Sequence, residues 1–319
     1  MDRGGRGARV SVVKVAALVV LSALGTTGVL GQERTATFKG AVDLVALNVV
    51  VVDGRQQFVS GLTAENFAIY EDGVQQDVSF FAADELPLDL AMLLDTSASM
   101  QIKLPTAQQA AIRFASALRP IDRLLVVDVK ETTSILTPLS HDLKAAKDAI
   151  LGTFAQGGTA LYNGLYTTLK ELARQRRGET EMRRQAIVIL SDGDDTSSLV
   201  SFDDVMELAK QSGISIYTIM LGSGSASTAA EKGERASRSE YGMKALAQET
   251  GARSFVALEV GDLAGVYKSI GNELASQYAL GYTSNNQRRD GAFRRVVVRL
   301  LDRAGARPRT RSGYFAPRS

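Results

Sequence analysis

Short apolar runs of strand length recur through the middle of the chain. Leu88 to Leu94 is apolar except at Asp89, and Leu124–Val129, Ala186–Leu190 and Ile214–Leu221 repeat the pattern. Continuous runs of this kind belong to strands buried on both faces, as in a parallel sheet. Ser254–Val256 is a weaker candidate. Helical spacing of apolar positions fills the intervals, over 105–118, 143–154, 161–175, 202–212, 238–249 and 262–278, with Ser140 or Asp142 placed to cap the second. Strand and helix alternate from Leu88 to about residue 275, which predicts an α/β fold. The expected architecture is a doubly wound, mostly parallel, Rossmann-like sheet. Residues 222–241 are rich in Ser, Gly, Ala and charge, and read as a mobile surface loop near the top of that sheet.

The two ends are patterned differently. Val42 to Val52 is strand-like and closes on Asp53-Gly54. Thr63 to Phe67 is a short connection, Ala68 to Val74 reads as a hairpin turning on Asp72-Gly73, and Val78 to Phe81 as a further strand. Residues 38–84 thus form a β segment. Strand patterning returns in Tyr278–Tyr282, in Ala292–Leu301 beyond the polar loop Thr283–Gly291, and in Arg309–Phe315. An isolated hairpin is marginal in water, so the terminal segments are expected to pack together as a small β module beside the central domain. The first residues carry Arg3, Arg6, Arg9 and Lys14, then the apolar stretch Val15 to Leu30 and a small-residue site at Val29-x-Gly31. That is a secretory signal peptide in outline. The alternative is an uncleaved membrane anchor, but Gly25, Thr26, Thr27 and Gly28 interrupt the stretch and favour cleavage. The expected division is 1–31 signal peptide, 32–84 N-terminal β segment, 85–277 central domain and 278–319 C-terminal β segment. The mature chain is then exported, periplasmic or secreted.

The candidate chemistry sits where the first core strand ends. Leu94-Asp95-Thr96-Ser97-Ala98-Ser99 offers one carboxylate and two serine hydroxyls from a single turn. Open α/β sheets bind ligands outside the carboxyl ends of their strands. Asp-x-Ser-x-Ser here resembles the metal-ion-dependent adhesion site of von Willebrand factor type A domains. Gly157-Gly158-Thr159-Ala160-Leu161-Tyr162 resembles the family's second motif, and Ile187-Val188-Ile189-Leu190-Ser191-Asp192-Gly193-Asp194 its third, in family order. The resemblance implies a metal held by Asp95, Ser97, Ser99, Thr159 and Asp192. It also implies capture of an Asp or Glu carboxylate from a protein ligand. Asn163 departs from the aspartate common at that position, which puts a local hydrogen bond in doubt. Leu62 to Phe67, Tyr70 to Gly73, Tyr278 to Tyr282 and Arg311 to Tyr314 resemble segments flanking the domain in exported bacterial "VWFA-related" proteins. That likeness carries no defined biological role.

Composition narrows the chemistry. The 319 residues include no cysteine and one histidine, His141, so a zinc or soft-metal site is hard to build and disulfides are excluded. Hard oxygen donors select hard cations such as Mg²⁺, Mn²⁺ or Ca²⁺, and Mg²⁺ is the expected one. Two carboxylates roughly neutralise a divalent ion and leave it electrophilic. A bland reading of the first motif is an N-cap and turn. An EF-hand starting at Asp192 fails, because its sixth position should be glycine and is Ser197. Asp194 and Asp195 fit loop-capping or outer supporting roles.

Catalysis finds little support. A haloacid-dehalogenase-type phosphatase would place an aspartate where Ser97 stands, and a serine hydroxyl does not protonate a leaving group at neutral pH. No Gly-x-Ser-x-Gly elbow accompanies His141 for a serine hydrolase. The net charge is +2, but residues 284–319 carry ten arginines against two aspartates. These arginines alternate with strand residues, as in Arg295-Val296-Val297-Val298-Arg299, which reads as a solvated strand face. No nucleic-acid-binding signature accompanies them. The reading is an exported binding module, not an enzyme, whose membrane contact is limited to an uncleaved signal segment. The alternative is an envelope assembly component whose metal site no longer works.

Overall fold

Six strands form the central sheet of the computed structural model. It describes residues 44–83, 86–179, 181–192, 194–222, 240–303 and 305–318. The N-terminal export segment lies outside these residues, as does nearly all of the loop expected over 222–241. In chain order the first four strands are β1 (Leu44–Val52), β2 (Phe67–Glu71), β3 (Val74–Gln76) and β4 (Phe80–Ala83). The core strands follow as β5 (Leu88–Asp95), β6 (Arg123–Val129), β7 (Thr133–Ser140), β8 (Arg184–Ser191), β9 (Ser215–Leu221) and β10 (Ser254–Ala257). They assemble in the order β10-β9-β8-β5-β6-β7. All neighbours are parallel except β6 and β7.

Helices α1 (Leu104–Ser116), α2 (Leu143–Leu151), α3 (Leu161–Arg176) and α4 (Phe202–Ser212) connect these strands, together with helical residues 240–249 (α5) and α6 (Leu263–Ala275). Alternate side chains of β5 explain the double winding. Leu90, Met92 and Leu94 face a core that contains Ala111 and Phe114 of α1, Ile150 of α2 and Tyr267 of α6. Ala91 and Leu93 face the other core, with Leu165 of α3, Val205 of α4 and Leu246 of α5. A strand buried on both faces reads as a near-continuous apolar run, and that is the source of the Leu88–Leu94 pattern, broken only at Asp89. Asp142, not Ser140, caps α2, accepting the Ala145 N–H at 2.9 Å.

The sequence reading missed β7. It is an edge strand, paired only with β6 and antiparallel to it. Its run Thr133-Ser-Ile-Leu-Thr-Pro-Leu-Ser lacks a clean period and contains Pro138, which an edge strand tolerates. The helix expected over 262–278 ends at Ala275, because β11 already begins at Gln277.

The remaining strands are β11 (Gln277–Thr283), β12 (Phe293–Leu300), β13 (Arg307–Arg309) and β14 (Gly313–Phe315). Residues 44–83 pack with the C-terminal strands, as expected. Their strands divide between two antiparallel sheets, β13-β1-β11-β4 and β14-β12-β2-β3, each completed by C-terminal strands. Leu47 lies opposite Leu280 in one, and Ile69 opposite Val298 in the other. These side chains share a third core with Phe67, Tyr278 and Tyr282. The Asp72-Gly73 turn joins β2 and β3 with positive φ at both residues, 48° and 86°, as a tight two-residue hairpin requires. On β12, Arg295 and Arg299 are exposed, while Val296, Val298 and Arg294 are buried. Among the described residues no helix is long and apolar enough to cross a membrane.

Candidate functional site

The chain runs from β5 to β6 on one side and places β8 on the other, so the strand order reverses at β5. Ligands of open α/β sheets bind at such a reversal, outside the carboxyl ends. Asp95 is the last residue of β5, and Asp192 follows the last residue of β8, the strand hydrogen-bonded to it. Two carboxylates far apart in sequence therefore meet at one edge.

A chain of hydrogen bonds joins the candidates. Asp95 is buried, its Oδ1 accepting from the Ser97 N–H at 2.9 Å and its Oδ2 from the Ser191 hydroxyl at 2.6 Å. The Ser97 and Ser99 hydroxyls lie 3.0 Å apart, and Ser99 Oγ donates to Asp192 Oδ1 at 2.7 Å. Lys103 Nζ stands 2.7 Å from Asp192 Oδ2. Burial pushes the Asp95 carboxyl above the ordinary aspartate range. Hydrogen bonds from Ser191 and Ser97 pull it back in part, and the charge of Asp192 adds to the rise.

The second motif is tied to the first through backbone. Gln156 N–H donates to the Thr96 carbonyl at 2.8 Å and Ala98 N–H to the Gly157 carbonyl at 3.0 Å. Gly157 takes φ 70°, a left-handed turn that suits glycine. Gly158 has no room for a side chain, since a Cβ would collide with Ser197 Oγ and crowd Thr196 Oγ1. Thr159 is buried in this loop and held by its backbone. Its N–H donates to Thr196 Oγ1 at 2.9 Å, and its carbonyl accepts from Thr196 and Ser197. Asp95, Ser97, Ser99 and Asp192 thus form one connected cluster, with Thr159 in the adjoining loop.

Asp195 and Asn163 join the third loop to α3. Asp195 Oδ2 accepts the Tyr162 N–H at 2.9 Å, satisfying a donor in the first turn of α3. Asn163 Oδ1 accepts from the Leu199 and Val200 amides, each at 3.1 Å, so asparagine performs locally what a carboxylate oxygen would. Sequence reasoning missed three supporting groups: Ser191, Lys103 and Asp128. Asp128 accepts from the Thr96 hydroxyl and pairs with Lys130 at 3.0 Å. Only Ser191, directly before Asp192, carried a usable signal.

The donor set fits a hard divalent cation: every donor is oxygen and two are carboxylates. Among the described residues no three carboxylate, imidazole or thiolate groups cluster for a metal, so hydroxyls would have to complete the sphere.

With fold and site together, the class is settled. The chain belongs to the von Willebrand factor type A domain family, whose model matches residues 89–264. Domains of this family commonly bind protein partners and are typically not enzymes. A UPF0353 protein of Mycolicibacterium paratuberculosis is 27% identical over 227 residues, 66% of this chain and 68% of the relative. A von Willebrand factor type A structure from Catenulispora acidiphila matches with TM-score 0.50 and 13% identity, covering 80% of this chain and 74% of that one. The vWF domain of the type V pili tip protein Mfa5 from Porphyromonas gingivalis aligns with TM-score 0.47 and 15% identity, over 59% of this chain and 95% of that one. The Catenulispora likeness speaks to the fold.

Proposed function

We propose that this chain is an exported binding module that captures a carboxylate of a protein ligand through a divalent cation. The observation that carries the reading is the Asp95–Ser97–Ser99–Asp192 cluster at the strand-order reversal. Asp95 and Asp192 would supply charge, Ser97 and Ser99 neutral oxygen, and Thr159 a further hydroxyl when a ligand arrives. The cation, Mg²⁺ or else Mn²⁺ or Ca²⁺, would offer an electrophilic position that a ligand's Asp or Glu can fill. The chain's own groups do the positioning. Ser191 and the Ser97 amide fix the Asp95 carboxylate, and the paired loops fix Ser97 beside Ser99. The chain's one imidazole, His141, lies against the Asp122 carbonyl at 3.0 Å and not against a serine of the cluster, which favours binding over catalysis. The basic, apolar and small-residue order of the first 31 residues supports export.

Calorimetry with Mg²⁺ and Mn²⁺ tests the metal. Asp95→Ala should abolish binding and leave the fold intact, because the strands beneath carry the core. Thr159→Ala should bind metal more nearly as wild type does, yet capture less of an acidic ligand. Capture is read by pull-down from envelope extracts with magnesium against EDTA. If the wild type binds neither ion, an assembly component with an inactive site takes this reading's place.

A further inference from the structure

We propose that Lys103 is a built-in counter-cation of the site, which a divalent ion must displace from Asp192 in order to bind. The inference rests on the metal reading above and adds a control to it. Both oxygens of each carboxylate are engaged, but by unlike partners. Asp95 is held by a backbone amide and a strand-end hydroxyl, both neutral and fixed. Asp192 is held on one oxygen by Ser99 and on the other by the Lys103 ammonium at 2.7 Å. The Asp192 side chain is only 2% exposed, and that of Lys103 is 22% exposed, so the lysine lies at the outer edge of the pair.

The position of Lys103 is unusual for a lysine. It immediately precedes α1, where the helix dipole presents partial positive charge and disfavours a cation. Among the described residues, Asp192 is the carboxylate that offsets this. The arm therefore reaches from an unfavourable helix start to the one oxygen of Asp192 that Ser99 leaves free.

Two carboxylates and one ammonium give the cluster a net charge of −1. Without the lysine, two carboxylates would face each other across the Ser97–Ser99 bridge and repel. The ammonium keeps Asp192 in place before any ion arrives. A divalent ion then brings two positive charges to the same carboxylates, and the ammonium becomes the repelled group. Its flexible four-carbon stem lets it leave without moving the backbone. Metal uptake is in this way an exchange of cations, weaker than the bare donor set would allow, at a site that stays assembled when empty.

The test is calorimetry of Mn²⁺ and Mg²⁺ binding to the full chain, as wild type, Lys103→Met and Lys103→Arg, at one ionic strength. Lys103→Met should bind roughly tenfold more tightly, equivalent to about 1.4 kcal/mol. Lys103→Arg keeps the charge and should stay within about twofold of wild type. Thermal melting gives a second readout: without metal Lys103→Met should melt below wild type, and saturating Mg²⁺ should remove the difference. Unchanged or weaker affinity in Lys103→Met, with wild-type binding intact, overturns this inference alone. An equal gain in Lys103→Arg also overturns it, because charge would then not be the cause. Absence of binding in all three proteins removes the metal reading itself, and this inference with it.

Discussion

At the scale of single residues, the site is built from short polar side chains whose partners come from other loops. Asp195 shows the pattern. Its Oδ2 caps the Tyr162 amide at 2.9 Å while its Oδ1 accepts from the Ser198 amide at 2.9 Å, so one carboxylate closes its own loop and the start of α3. Ser198 repeats this from its hydroxyl, which accepts from the Asn163 amide at 2.9 Å. Removing a cap costs about 1–2 kcal/mol. Asp195→Ala should therefore lower unfolding free energy by about that much in urea titration, and leave metal affinity within a few-fold. A complete loss of metal binding in that variant would make Asp195 a ligand and not a cap. The three motifs were legible because each is a local string beside a strand or helix end. Lys103 and Asp128 were not, because their roles arise from contacts with residues 89 and 32 positions away, to Asp192 and Thr96. No local spacing encodes such a pair.

Elements meet closely where the site needs them rigid. Helix α3 begins directly behind the second motif and lies against the end of β6. At Gly164 a Cβ would stand 2.7 Å from Val129 Cγ2. In a free helix, glycine to alanine gains about 1 kcal/mol. Here the added methyl must push α3 away from β6, and overpacking of this kind costs about 1–3 kcal/mol. Gly164→Ala should therefore destabilise, and pairing it with Val129→Ala should recover part of the loss. A single variant more stable than wild type in denaturant titration would show that the helix can shift freely. The core strands were readable in the sequence because burial on both faces leaves one possible pattern. Edge strand β7 was not, since only one neighbour and one face constrain it. The division of residues 44–83 between two sheets was also hidden, because strand pairing depends on partners far along the chain, such as Leu47 with Leu280 in one sheet and Glu71 with Val296 in the other.

Across the whole molecule, those distant segments are locked at Glu71. Its carboxylate is 2% exposed and accepts from Tyr282 at 2.8 Å, Tyr314 at 2.9 Å and Ser284 at 2.6 Å, with Arg294 Nη1 at 3.2 Å. The donors come from β11, β14, the residue after β11 and β12, so both antiparallel sheets converge on a side chain of β2. Burial alone would push the Glu71 carboxyl up, but the hydrogen bonds from Ser284, Tyr282, Tyr314 and Arg294 together outweigh it and hold the group below the usual carboxylate range. A carboxyl depressed in the folded state contributes stability that is complete above its unfolded value, about 4.3 for glutamate. That contribution disappears as pH falls through the lower folded value, because the native state must then take up a proton it disfavours. Glu71→Gln removes the charge while keeping the shape, and leaves the buried Arg294 with only the more distant, exposed Asp290, at 3.7 Å, as a counter-charge. Breaking a buried pair in this way costs about 3 kcal/mol. Urea titrations of wild type and Glu71→Gln should differ by about that amount at pH 7, and the difference should shrink on acidification below about pH 4. The loss should appear as separation of the terminal strands, read by proteolysis near residues 44–83 and 277–318, while Asp95 and its loops stay assembled on the central sheet. An equal difference at pH 7 and at pH 3.5 would mean that Glu71 works by packing and not by charge.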